Sequence, residues 1–106
     1  MKKLKKFSIK ETAKLFNGPW DPKDIVEYYG KIFRVATFEG KFGKAPHMHE
    51  YNEFFLVLKG RIEIITEKGK IKLGPLDGVI IPKGIHHQPF AQKSALVLML
   101  DPEDTK

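Results

Sequence analysis

Hydrophobic positions in this chain fall in short runs, many of them alternating, and glycine or proline divides the runs at short intervals. Residues 25–29 and 32–38 flank Gly30-Lys31, and residues 54–58 and 61–66 flank Lys59-Gly60. Lys68-Gly69 then turns the chain into 70–73, and 78–81 and 95–100 complete the set. Isoleucine, valine, phenylalanine and tyrosine dominate these runs, and such side chains suit a pleated, half-covered surface. Short runs of this kind between turn signals predict an all-β sandwich or barrel. Arg61-Ile62-Glu63-Ile64 alternates, so one of its faces meets solvent. Residues 54–58 and 79–81 are apolar on both faces and need two covers. The second cover is either an N-terminal helix or another copy of the chain, which raises the expectation of a homodimer.

The helical period occurs once, near the start. Ser8-Ile9-Lys10-Glu11 reads as a capping box, in which a hydroxyl satisfies an early backbone N–H and a glutamate reaches back. A helix over 9–16 should follow, with Ile9, Ala13 and Phe16 as its apolar stripe, packed on the rest of the domain. Asn17-Gly18-Pro19 stops it. With no repeat, low-complexity segment or linker, residues 1–106 read as one domain: a helical extension over 1–20 and a β-barrel over 21–101.

Composition narrows the chemistry. A chain of 106 residues can bury a core without disulfides, and it has no cysteine. Thiolate metal sites, iron–sulfur clusters and thiol nucleophiles are thereby excluded, leaving histidine and carboxylate as the strong metal ligands. No apolar run approaches the roughly 20 residues of a membrane-spanning helix. The lysine-rich start, Met1-Lys2-Lys3-Leu4-Lys5-Lys6, is followed by no apolar segment of the export type. A cytoplasmic location and no membrane partner are the expectations. The net charge of +6 comes mainly from lysines interleaved with glutamates, and arginine occurs only at Arg34 and Arg61. That is a solvated surface rather than a nucleic-acid face. Abundant lysine with scarce asparagine and glutamine leans towards a heat-loving source.

The histidines carry the most specific signal. Pro46-His47-Met48-His49-Glu50-Tyr51-Asn52-Glu53 holds two imidazoles at i and i+2 and a carboxylate four residues on. In an extended strand, side chains two apart share a face, so His47, His49 and, past a short loop, Glu53 can converge. Pro82-Lys83-Gly84-Ile85-His86-His87 offers a third imidazole from His86 or His87. Neutral imidazole with carboxylate suits one divalent transition metal: zinc, iron, nickel, manganese or copper.

At these residues the chain resembles the cupin family. The family's first motif reads here as Gly40, six residues, His47-Met48-His49, three residues, Glu53, six residues, Gly60. One residue is extra after Gly40, unless Gly43 takes that turn. The second motif reads Leu76-Asp77, an apolar strand, then Pro82-Lys83-Gly84-Ile85-His86-His87, with Leu76 and Ala91 where glycine and asparagine are expected. The resemblance implies a double-stranded β-helix, a jelly-roll barrel with a metal near one mouth. It implies His47, His49, Glu53 and His87 as ligands and turns His86 away. It also brings metal-dependent isomerases, lyases, decarboxylases and dioxygenases acting on a small polar or anionic molecule. A non-catalytic, ligand-holding or regulatory barrel is the alternative.

Four further residues are candidates for a substrate pocket: Arg34, Tyr51, Phe55 and Phe90. An inward Arg34 would anchor an anionic ligand, whereas an outward one would face solvent or a second copy. Tyr51 sits between ligand positions. Phe55 shares the inward parity of Glu53 with Val57, and Phe55 and Phe90 read equally as core. Trp20, between Pro19 and Asp21-Pro22, reads as a packing anchor for the N-terminal segment. No Ser-His-Asp set, phosphate loop or spaced pair of carboxylates is found.

Overall fold

The computed structural model describes residues 3–103, so Met1 and Lys2 of the lysine-rich start lie outside the described residues. One short helix, α1 (Ile9–Ala13), precedes seven strands: β1 (Lys23–Tyr28), β2 (Lys31–Lys41), β3 (Glu53–Lys59), β4 (Ile62–Thr66), β5 (Gly69–Leu73), β6 (Gly78–Ile81) and β7 (His87–Pro102). All pairings are antiparallel. The order is β1-β2-β7-β3-β6, with β4 joined to β7 and to β5. This is the all-β jelly-roll architecture that the strand pattern and the resemblance predict. No helix among the described residues is long and apolar enough to cross a membrane.

The helix is shorter than the expected 9–16. The Glu11 N–H donates to Ser8 Oγ at 3.1 Å, as a cap should, but the Glu11 carboxylate pairs with Lys14 at 2.7 Å. Leu15 and Phe16 donate to carbonyls three residues back, at 3.0 and 3.4 Å, so the last turn is tightened rather than α-helical. None of the residues of α1 is fully buried, and a helix this short has little stability without packing. It lies against β1 and β2.

The 16-residue β7 organises the sheet. Its first residues pair with β4, from His87↔Thr66 to Phe90↔Glu63. Its later residues run between β2 and β3, as in Ala36↔Val97↔Val57. Only 95–100 is legible as strand from the sequence, because Pro89 and the polar Gln92-Lys93-Ser94 interrupt the apolar pattern. The chain nevertheless stays extended. Opposite the Phe38–Gly40 step of β2, the partner in β7 jumps from Ala95 to Ala91, so Gln92–Ser94 form an exposed bulge. Gly60 turns β3 into β4 against this bulge with φ +83°. A Cβ there would sit 2.9 Å from Ala95 Cα and Ser94 O, so both space and backbone demand glycine.

Inward side chains fill the space between the layers. Phe38, Phe55, Val57, Ile62, Ile64, Leu73, Ile81 and Val97 belong to one buried cluster, each such side chain contributing roughly 1.5–3 kcal/mol by leaving water. The parity set by Glu53 holds along β3: Glu53, Phe55 and Val57 are buried, while Phe54, Leu56 and Leu58 are half-covered on the other face. On that outer face Phe54 lies between Ile80 and Leu100, and Ile80 remains 63% exposed.

Candidate metal centre

His47 and His49 lie in an irregular segment, not in a strand of the sheet. Only an isolated bridge ties His47 to His87. Its two backbone bonds, His47 N–H to His87 O (2.9 Å) and His87 N–H to His47 O (2.8 Å), hold the two motif segments in register. The Gly84 N–H donates to His49 O at 3.0 Å, and the Lys83 N–H donates to Asn52 Oδ1 at 3.0 Å. The spacing of two therefore works through an extended loop pinned to the turn before β7, rather than through the strand that the alternation suggested. Glu53 opens β3 and His87 opens β7.

The four side chains His47, His49, Glu53 and His87 meet, one donor atom from each lying within 4.8 Å of the others. His87 is 1% exposed and Glu53 7%, while both remaining histidines are half-buried. His87 Nε2 is 2.8 Å from Glu53 Oε1, and His49 Nε2 is 3.5 Å from Glu53 Oε2. The ring centroids of His47 and His87 are 4.5 Å apart, and those of His47 and His49 are 4.9 Å apart. His86 is exposed and lies with Thr66 and Glu67, away from the cluster.

The protonation pattern explains how this set holds together. His87 Nδ1 is 2.9 Å from the Ile85 carbonyl, which can only accept, so Nδ1 carries hydrogen. Nε2 faces a carboxylate, and an imidazolium satisfies both contacts at once. Burial opposes that charge, but the Glu53 carboxylate and the Ile85 carbonyl outweigh it, and the pKa of His87 is raised above 6.5. His47 moves the other way: burial and the neighbouring His87 and His49 lower its pKa, against a smaller opposing pull from Glu53.

A divalent cation fits this donor set. Three neutral imidazoles and one carboxylate are three nitrogens and one oxygen carrying a single negative charge, borderline ligands that suit first-row metals. Donors about 2.1 Å from one ion lie roughly 3.0–4.2 Å apart depending on their angle, so a donor pair at the 4.8 Å limit must draw together by between about half an ångström and somewhat under 2 Å to share an ion. Hydrogen bonding of Nδ1 to a backbone carbonyl is the usual way of fixing a ligating imidazole, with Nε2 aimed at the ion.

His49 and Glu53 also line a cavity of about 190 Å³. Among the described residues its other walls are apolar, with Trp20, Phe38, Phe42, Phe55 and Met99 the largest. Trp20 is held by its N–H to Thr37 O (2.8 Å) and by Nε1–H to Glu39 O (2.9 Å). Its ring lies 4.4 Å from that of Phe38 and 5.0 Å from that of Phe42.

Of the four pocket candidates, Phe55 lines this cavity. Tyr51 stacks on His49, centroids 5.0 Å apart. Phe90 lines a separate polar depression with Arg61, Glu63 and Asp77. Arg34 points inward, but its guanidinium is bound to Asp101 (2.9 Å) and Asp24 (2.8 Å) and is not part of the cavity wall. The sequence reading did not single out Phe38, Phe42, Met99 or Asp101. Phe38 and Met99 share the inward parity of the strands that hold Arg34 and Val97, which was the available signal. Trp20 was legible as an anchor but not as a cavity wall.

A jelly roll with a histidine–carboxylate cluster pinned between two strand ends defines a class of small barrels with a site that could bind metal. The cupin domain family matches residues 34–101, and the chain belongs to the cupin family. A cupin-2 domain containing protein from Shewanella frigidimarina is similar in structure, with a TM-score of 0.79 and 31% identity over 84% of this chain and 86% of the other. Hydroquinone 1,2-dioxygenase from a Sphingomonas species, with 4-hydroxybenzoate bound, shares the fold (TM-score 0.69, 17% identity, 81% and 67% covered). So does KdgF from a Halomonas species (TM-score 0.64, 22% identity, 80% and 83% covered). No curated protein matches the chain.

Proposed function

We propose that this cupin is a small metal-dependent enzyme in which His47, His49, Glu53 and His87 hold one divalent transition metal beside the cavity. The observation that carries the reading is the convergence of four donors within 4.8 Å, two of which line the cavity. Such an ion supplies Lewis acidity towards a carbonyl, carboxylate or hydroxyl group of a small molecule. The protein's own part is positional. Ile85 fixes the His87 ring, the bridge between His47 and His87 fixes their spacing, and aromatic side chains line the cavity beside them. Isomerase, lyase, decarboxylase and dioxygenase chemistry are all compatible with this arrangement. A dioxygenase shares this fold, which is the support for keeping the last of these among the candidates.

A second reading, a ligand-binding barrel without turnover, has one observation in its favour. Apart from His49 and Glu53, no titratable side chain of the described residues lines the cavity, so no free general base stands over a ligand. The test is a screen of the Zn(II)-, Fe(II)- and Mn(II)-loaded protein against small acids, phenols and sugars, following both product formation and thermal shift. Product supports the enzyme; stabilisation with stoichiometric binding and no product supports the second reading.

A homodimer through the outer face of β3, β6 and β7 is part of the same proposal. The apolar row Ile80, Phe54 and Leu100 supports it, because α1 lies against β1 and β2 instead. Sedimentation should give a dimer for the wild type and a monomer for Ile80→Lys; a monomeric wild type rejects it.

A further inference from the structure

The cavity beside the candidate metal centre is far less polar than the small polar or anionic ligand expected from the sequence would need. We infer that the site takes a ligand with its polarity at one end: a single six-membered aromatic ring bearing a carboxylate or hydroxyl. This inference rests on the metal-site reading above and names the ligand class for it.

Size comes first. A cavity of about 190 Å³ is slightly larger than the roughly 150 Å³ apolar cavity that accepts benzene in another protein. There is room for one ring and a small substituent against these walls. Chemistry comes next. A sugar carries hydroxyls around its whole rim and needs a polar partner for each. Here His49 and Glu53 are the polar lining residues, and they stand together. Trp20 does not add a donor, because its Nε1–H is spent on the Glu39 carbonyl. The Arg34 guanidinium is bound to Asp24 and Asp101 and does not line the cavity.

The wall geometry agrees. Trp20, Phe38 and Phe42 form a continuous tilted aromatic group, and Phe55 meets Phe38 edge-on at 5.5 Å. Offset and edge-to-face contacts of this kind are what a further aromatic ring makes with its neighbours. Trp20 has φ +62°, outside the backbone region that a tryptophan prefers. Its two hydrogen bonds hold it there. Trp20 is therefore the residue that sets ring specificity, delivered to the cavity by the segment before β1.

Trp20 is also the chain's single tryptophan, so its fluorescence reports on the cavity directly. The experiment titrates the full-length Zn(II)-loaded protein with benzoate and with acetate, which share a carboxylate and differ by the ring. Zinc content is measured alongside. Benzoate should bind at least tenfold more tightly than acetate and change the Trp20 emission. Ala36→Leu, at a buried residue that lines the cavity, and Phe42→Ser, at a partly exposed wall position less prone to unfolding, should each lower benzoate affinity at least tenfold, towards that of acetate. Equal affinities, or benzoate binding with silent Trp20 emission, would overturn the inference while leaving the metal site intact. If zinc does not bind, the metal reading fails by itself. Phenol against glycerol on the unloaded protein then decides the cavity: a Trp20 response to phenol alone supports the ring pocket, and no response to phenol rejects it.

Discussion

At Arg34 a cation meets two carboxylates; at His87 three imidazoles and one carboxylate face one another. Both clusters interrupt a largely apolar interior, and they are built differently. The Arg34 guanidinium is 2.8 Å from Asp24 and 2.9 Å from Asp101. Burial works against the Arg34 charge, but the two aspartates prevail and its pKa is raised. At Asp101 burial wins over Arg34, raising the carboxyl pKa, and Oδ1 has no hydrogen-bond partner. One guanidinium bridges both carboxylates there, and the cluster ties β1, β2 and β7 together. In the histidine cluster, donor atoms converge on a common centre, and the 2.8 Å contact between His87 Nε2 and Glu53 Oε1 is shorter than the 3.5 Å contact between His49 and Glu53. A cation bridging carboxylates from two other strands has the features of a brace, and a converging donor set has those of a site for a cation.

Substitutions can break this contrast. Arg34→Met leaves Asp101 buried without its cation and should destabilise the fold by about 3–5 kcal/mol, with zinc affinity unchanged. Urea unfolding and a zinc titration on the same sample measure both. A parallel loss of zinc affinity would mean that the two clusters act as one. His49→Ala should do the reverse. Its zinc affinity should fall by more than the roughly 10- to 100-fold seen when a residue merely supporting a ligand is lost, with a small change in unfolding free energy. His86→Ala should change neither.

Acidity sharpens the contrast further. A metal held as proposed would have to displace the proton on His87 Nε2, and the pKa of that group is raised, so zinc affinity should climb with pH through and above the ordinary imidazole value of 6.5. Stability of the unloaded protein has the opposite sign. The contribution of the His87–Glu53 contact is full below 6.5 and is lost as pH rises through the raised folded value. The stability gap between wild type and His87→Gln should therefore narrow with rising pH, as unfolding curves at several pH values would show. A gap that widens contradicts the imidazolium assignment.

The smallest effect concerns Leu76, which stands where the family has glycine. It is 77% exposed, has φ +69°, and its N–H donates to Val57 O at 2.7 Å. The left-handed backbone has been kept although the glycine is gone. That conformation costs a residue with a Cβ about 1–2 kcal/mol, part of which glycine returns through its freer unfolded chain. Leu76→Gly should raise stability by less than about 1 kcal/mol and leave zinc binding alone, by thermal melts and titration.

What could be read from the sequence follows the range of the interactions. Strand existence and the inward parity of Glu53, Phe55 and Val57 are set by neighbours along one strand, and alternation exposes them. The histidine set was legible because its spacing is local at both ends. The partners of Arg34 were not, since Asp101 lies 67 residues away and no periodicity links them. The first half of β7 was hidden by Pro89 and by a polar bulge that only the pairing with β2 and β4 makes extended. The apolar stripe predicts a helix to Phe16, but it is too thinly covered to keep α-helical bonds beyond Ala13. Flanking prolines mark Trp20 in the sequence, while its position on the cavity depends on hydrogen bonds to the Thr37 and Glu39 carbonyls of β2.

The most direct measurement is zinc stoichiometry by equilibrium dialysis and elemental analysis, on the wild type, the alanine variants of His47, His49, Glu53 and His87, and His86→Ala. One zinc per chain in the wild type and in His86→Ala, and its loss from the other four, is the predicted result. A wild type that takes up none, or a His87→Ala variant that retains it, would contradict the assignment.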